Sequence, residues 1–138
     1  MTLNKNTARK VLLVDDDTLL RELLGLIVER HGYQLKKAEN GQDAMCLVES
    51  FVPDLIVLDV MMPVMDGREF LTWFKALEDR KANILVLTSM SDPRLHKALY
   101  ELGATKVATK PVSMRMLEQD ICELIGDAGA QNFNKTNS

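Results

Sequence analysis

Long apolar runs are missing from this chain. No stretch approaches the roughly 18 residues that span a bilayer. The charged opening MTLNKNTARK is not followed by the apolar segment of a secretory signal, because Val11–Val14 is short and ends in three aspartates. The expectation from these absences is a cytosolic protein. Cysteine is scarce too. Cys46 and Cys122 sit in separate helical patterns with no second cysteine near either, which argues against a disulfide framework or a zinc site and leaves both as small core or surface residues. Positive charge is not in excess: the net charge is −3 and the isoelectric point about 5.4, far from the value above roughly 9 that marks a nucleic-acid-binding domain. Internal repeats are absent as well. What remains is a chain of 138 residues, 46% hydrophobic, enough for one domain that buries about two-thirds of its unfolded surface.

Along the chain, short apolar runs alternate with segments of helical period. Lys10–Val14 (KVLLV) is compatible with a strand buried on both faces and stops at Asp15, Asp16 and Asp17. Thr18–His31 carries Leu20, Leu23, Leu24, Ile27 and Val28 at helical spacing, with Gly32 as a stop. Tyr33–Ala38 reads as a more polar strand at a sheet edge, and Gln42–Ser50 as a helix. Pro53–Asp59 (PDLIVLD) is a second strongly apolar strand that also ends in an aspartate. A loop with Pro63, Asp66 and Gly67 precedes a helix bearing Phe70, Phe74 and Leu77. Ile84–Leu87 is a strand ending at Thr88, and Leu95, Leu99 and Leu102 mark a helix stopped by Gly103. Lys106–Thr109 leads to Lys110-Pro111, and a last helix spans Met114 to Ile125 before Gly126. Strict alternation predicts an α/β fold: a doubly wound parallel sheet of five β-α units, with flavodoxin-like strand order 2-1-3-4-5. The domain is expected over 8–127. Residues 128–138 lack periodicity and read as a polar tail or the start of a linker.

Ligands of an open parallel sheet bind at the carboxyl ends of the strands, near the switch in strand order. Here those ends carry Asp15 and Asp16, Asp59, Thr88 and Lys110. Taken singly, each has a plain structural reading. Acidic residues at strand ends cap the following helix, as Asp17 is expected to do before Thr18; a threonine ends strands, and a lone lysine is a surface charge. Their conjunction at successive strand ends is what points to chemistry. Three converging carboxylates repel one another unless a cation intervenes, and a hard divalent ion with oxygen ligands answers that need. With an ammonium and a hydroxyl beside a carboxylate nucleophile, the set has the parts of a phosphoryl-transfer site.

The motifs VLLVDDD (Val11–Asp17), PDLIVLDVMMPVMDG (Pro53–Gly67), LVLTS (Leu85–Ser89) and Lys110-Pro111 make the chain resemble the response regulator receiver domains of two-component signalling, over roughly Ala8 to Asp127. The resemblance implies that Asp59 is phosphorylated. It implies that Asp16 ligates Mg²⁺ (or Mn²⁺) directly and Asp15 through water, with Asp59 and the backbone carbonyl of Met61 completing the protein's share. Thr88 and Lys110 would bind phosphoryl oxygens, Thr88 moving to do so, and the Lys110–Pro111 bond would be cis. The donor implied is a phosphohistidine on a sensor kinase or histidine phosphotransfer protein, and the output is altered binding of a downstream protein, without turnover of a separate substrate. Neither His31 nor His96 falls on a family site, and both read as incidental. The family often places an aromatic residue where Val107 stands, and a smaller residue where Ser89 stands.

Two other classes fit parts of the pattern. A scaffold working without phosphate is favoured by Val107 but not by the full acidic and basic set. A haloacid-dehalogenase-type phosphatase also forms an aspartyl phosphate, but needs a second aspartate where Met61 stands. Flavin binding is disfavoured, because three aspartates after the first strand repel a phosphate. The chain reads either as a stand-alone regulator of the chemotaxis type or as the receiver of a longer protein.

Overall fold

The computed structural model describes residues 8–60, 66–77, 79 and 81–125. Strands and helices alternate as β1 (Lys10–Val14), α1 (Thr18–Arg30), β2 (Gln34–Ala38), α2 (Gly41–Ser50), β3 (Leu55–Asp59), α3 (Gly67–Lys75), β4 (Asn83–Thr88), α4 (Pro93–Glu101), β5 (Lys106–Thr109) and α5 (Met114–Leu124). All strand pairs are parallel, in the order β2-β1-β3-β4-β5. This is the doubly wound sheet that the alternation predicts, with the polar strand β2 at one edge. The expected boundary at 127 and the tail 128–138 lie outside the described residues.

Most boundaries fall within a residue of the sequence pattern, and the start of β3 and the end of α3 differ by more for local reasons. Pro53 and Asp54 do not join β3. Proline has no N–H to donate, and Asp54 instead exchanges contacts with Lys10: its N–H donates to the Lys10 carbonyl and its Oδ2 accepts from the Lys10 N–H, each at 2.8 Å. The helix α3 ends at Lys75, so Leu77 lies past its end, its N–H donating to the Phe74 carbonyl in a closing turn. Helix starts follow the sequence closely, because Asp17, Asn40, Asp66, Asp92 and Ser113 each accept a first-turn N–H. Asp66 and Glu69 form a reciprocal capping box.

Side chains of a strand alternate between faces, and that parity divides the core in two. Leu12, Val14, Ile56, Leu58, Ile84 and Val86 pack against α2, α3 and α4 through Ala44, Val48, Phe70, Leu71, Phe74 and Leu99. Val11, Leu13, Leu55, Val57, Leu85 and Leu87 pack against α1 and α5 through Leu24, Ile27, Val28, Leu117, Ile121 and Ile125. Phe70 is the largest side chain with no exposed surface. Phe70→Ala is therefore expected to cost about 3–5 kcal/mol, measured as a lower urea midpoint at unchanged slope; a loss under roughly 1 kcal/mol would contradict this packing.

Candidate functional site

Parity also decides which polar groups meet beyond the strand ends. Asp59 is the last residue of β3 and follows Leu55 and Val57 on the α1/α5 side; Asp15 follows Val11 and Leu13 on that same side. Because β1 and β3 are adjacent and in register, the two carboxylates are neighbours. Carboxylate oxygens of Asp15, Asp16 and Asp59 all lie within 4.8 Å of one another. Asp15 and Asp59 are buried, 3% and 6% exposed, whereas Asp16 is exposed. Lys110, one residue past β5, reaches back across β4 to place Nζ 3.5 Å from Asp59 Oδ1 and 3.8 Å from Asp15 Oδ2. The Lys110–Pro111 bond is cis, as expected.

The site is short of positive charge. Burial and the nearby Asp59 and Asp16 charges push the Asp15 pKa from 3.8 up to about 6; the Asp17 N–H, bonded at 2.8 Å to Asp15 Oδ1, and the Lys110 ammonium act against the rise without cancelling it. Asp15 Oδ2 is buried with no hydrogen-bond partner. A buried carboxylate oxygen without a hydrogen-bond donor, on a residue clustered with two further carboxylates, fits a hard divalent cation that takes oxygen ligands. The residues present thus suit Mg²⁺ or Mn²⁺. Met61, whose carbonyl was expected to contribute, lies outside the described residues.

Thr88 ends β4 with no exposed surface. It follows Ile84 and Val86, so its parity is that of the α4 side, opposite to Asp59. Its Oγ1 accepts from the Met90 N–H at 3.1 Å, and its carbonyl accepts from the Lys110 N–H at 2.7 Å. The sequence reading left three neighbours without a role. Arg21 donates through Nη1 to the Asp15 carbonyl at 2.6 Å, fixing the loop after β1 to α1. A Cβ on Gly67 would lie 2.8 Å from Val60 Cα and 2.9 Å from the Asp59 carbonyl oxygen, so glycine allows α3 to begin directly against the Asp59 backbone. His96, read as incidental, donates to the Met90 carbonyl at 2.8 Å. Spacing alone gives no signal for Arg21 or His96; the Gly67 position was visible as part of the loop motif.

A family model for the response regulator receiver domain matches residues 11–122. The chain belongs to this family. Receiver domains are signalling modules of two-component systems, and this one is similar to relatives of which it covers very different shares. It is 43% identical over 110 residues to the alkaline phosphatase synthesis transcriptional regulatory protein PhoP of Bacillus subtilis, covering 78% of this chain and 44% of that protein. It is 36% identical over 104 residues to the chemotaxis protein CheY of Halobacterium salinarum, covering 75% of this chain and 86% of that one. The chain thus spans under half the length of PhoP and most of the length of CheY. The receiver domain of a signal transduction histidine kinase from Syntrophus aciditrophicus superposes with a TM-score of 0.78 at 35% identity, covering 86% of this chain and 91% of that domain. Among the described residues, no helix is long and apolar enough to cross a membrane.

The raised Asp15 pKa sets a pH dependence for the metal-free receiver. A carboxyl that holds its proton more tightly when folded gives its full contribution below the ordinary value of 3.8, loses it as pH rises from there to about 6, and contributes nothing further above that. Asp15→Asn removes the buried charge. It is expected to raise metal-free stability by about 1–3 kcal/mol near pH 7.5 and by roughly half as much near pH 5. Thermal melts of both proteins at the two pH values measure this. An equal gain at both would show that Asp15 charge is not what the fold resists.

Proposed function

We propose that this receiver accepts a phosphoryl group on Asp59 from a phosphohistidine donor, with Mg²⁺ or Mn²⁺ held by Asp15, Asp16, Asp59 and the Met61 carbonyl. The observation that carries this reading is the cluster of three carboxylates, two of them buried. Asp59 sits among acidic neighbours, with the Lys110 ammonium at 3.5 Å and an Asp15 oxygen without a hydrogen-bond partner close by. A bound divalent ion would supply the positive charge that lets an anionic carboxylate approach an anionic phosphoryl group.

The chain's own residues supply the remainder. An Asp59 carboxylate oxygen attacks phosphorus as the P–N bond to the donor imidazole breaks, and the electron pair of that bond returns to the ring nitrogen. Lys110, 3.5 Å from Asp59, would take a phosphoryl oxygen as its ion-pair partner, and Thr88 would donate its hydroxyl to another after turning away from Met90. Small acyl phosphates would serve as donors by the same displacement. The donor protein is a sensor histidine kinase or a histidine phosphotransfer protein, and the output is changed affinity for a downstream protein, with no nucleic acid bound by this domain.

Asp59→Asn is expected to abolish both beryllofluoride binding and labelling by acetyl phosphate in the presence of Mg²⁺, while leaving the fold intact by circular dichroism. Acid-labile, hydroxylamine-sensitive phosphate persisting on the variant would overturn the assignment. Omitting Mg²⁺ from the wild-type reaction is expected to reduce labelling at least about tenfold, given the electrostatic share such ions have in phosphoryl transfer. Labelling at full rate in a chelator would rule out the metal's part.

A further inference from the structure

Away from the carboxylate cluster, α1 and α5 bring a thiol, an imidazole and a carboxylate together. Cys122, in the last turn of α5, is half-buried. Its Sγ lies 3.7 Å from His31 Nε2 and 3.9 Å from His31 Nδ1. His31 closes α1, and its Nε2 is 2.6 Å from Glu118 Oε2. A carboxylate oxygen can only accept, so Nε2 carries a proton and donates it to that bond. In the neutral ring this leaves Nδ1 bare and able to take a proton from sulfur. Arg30 Nη2 donates to the same Glu118 oxygen at 2.6 Å. The Arg30 and His31 bonds hold the Glu118 carboxyl below its usual range, so it stands as an anion. Glu118 and Cys122 are four residues apart on α5 and share a face. The Tyr33 ring stacks on His31 with centroids 5.7 Å apart, and its hydroxyl is directed at Sγ from 4.0 Å.

Each part has a plain structural reading, as an ion pair and a ring contact tying α1 to α5. That reading leaves the order of the parts unexplained. A nucleophile, a base within its reach and a carboxylate that orients the base form the arrangement that activates a thiol. Electrostatics agree. The carboxyl end of a helix disfavours an anion, and α5 has no basic residue in its last turn. The charge that steadies a thiolate there comes from α1, through His31 once protonated and Arg30 beyond it. The other acidic groups of this part of α5 are engaged with Lys106: Asp120 accepts from its Nζ at 2.6 Å, and Glu123 acts on the same ammonium. Cys46 has no such setting. It is exposed, and no histidine among the described residues bonds its thiol.

We propose that Cys122 is a thiol-modification site at the α1–α5 seam, taking a sulfur from a low-molecular-weight disulfide with His31 as its base. His31 Nδ1 accepts the Sγ proton, and the thiolate attacks one sulfur of the disulfide. The S–S bond breaks, its electron pair leaves on the second sulfur, and that sulfur takes the proton back from His31. Cys122 ends oxidised, in a mixed disulfide, and the reagent is reduced to one free thiol. Glu118 steadies the imidazolium between the two proton transfers. The seam lies at the end of the sheet where the strands begin: Asn83, the first residue of β4, donates to the Leu124 carbonyl at 2.6 Å. The site is thus at the opposite end from Asp59, and the proposal does not depend on what Asp59 accepts.

The rate of reaction of the full chain with an aromatic disulfide, whose released thiolate is coloured, tests this. Cys46→Ser, which keeps Cys122, is expected to react at pH 7 roughly three- to tenfold faster than Cys122→Ser, which keeps the more exposed Cys46. That range is the extra thiolate from a pKa lowered by one unit, less the weaker nucleophilicity that comes with it. Adding His31→Gln to Cys46→Ser is expected to remove the advantage and to move the midpoint of the pH–rate profile upward. A merely structural His31 gives the opposite sign, because loosening the seam exposes the thiol and speeds its reaction. Oxidised glutathione is expected to add one glutathionyl group to Cys46→Ser, read by intact mass, before any appears on Cys122→Ser. Equal rates for the two cysteines, a rate undiminished by His31→Gln, or a glutathionyl adduct confined to Cys46 overturns the proposal.

Discussion

Asp15 and Asp59 repel each other at the end of an otherwise aliphatic sheet, and the surrounding structure is arranged around that repulsion. Two carboxylates that are 3% and 6% exposed cannot both remain charged cheaply in a medium that screens poorly. The chain answers in part. Lys110 stands near both, its ammonium 3.5 Å from Asp59 and 3.8 Å from Asp15, so its charge is shared between them. One Asp15 oxygen is satisfied by the Asp17 N–H, and the other has no hydrogen-bond partner. The deficit is local, because the sheet beneath is held by aliphatic packing on both faces. That packing carries the fold, and the uncompensated Asp15 charge subtracts from it.

The backbone near the site is fixed with corresponding care. Gly67 brings the start of α3 against the Asp59 backbone, and its N–H donates to the Val60 carbonyl at 2.8 Å. Arg21 holds the Asp15 carbonyl from α1. These contacts act on backbone atoms of the segments that carry Asp15 and Asp59, not on their carboxylate oxygens.

Much of this was legible in the sequence because the signals are short-range. Apolar runs ending in charge gave the strands and their polar tips, the change from strand to helical period gave the crossovers, and Asp17 was identifiable as a cap from its place before a leucine-rich helix. The strand order followed from alternation and crossover handedness. The remainder depends on geometry between elements distant in sequence. That Thr88 rests against Met90, and that His96 and Tyr100 bridge α4 to the loop after β4 and to β5, follows from how α4 lies on the sheet; no spacing rule encodes it. The start of β3 at Leu55 and the end of α3 at Lys75 were likewise misplaced by a pattern that sees hydrophobicity but not which backbone N–H groups find partners.

The same arrangement limits where a charge change at Asp59 can be felt. The strands β1, β3 and β4 are buried on both faces, and interiors packed at this density do not deform gradually. Their amino ends are joined as well: Asp54 exchanges hydrogen bonds with Lys10 and accepts from the Asn83 N–H at 3.0 Å, so the sheet resists sliding. A phosphoryl group on Asp59, as proposed, would add about −1.5 to −2 charge, and its proposed partners are the Lys110 ammonium and the Thr88 hydroxyl, the first standing on the segment between β5 and α5, the second bonded to the loop between β4 and α4. Both segments flank the β4–β5 end of the sheet, where α4 is bonded to the loop after β4 through His96 and to β5 through Tyr100. On that proposal, a charge change at the carboxyl end of β3 would be answered on the β4–β5 side of the molecule.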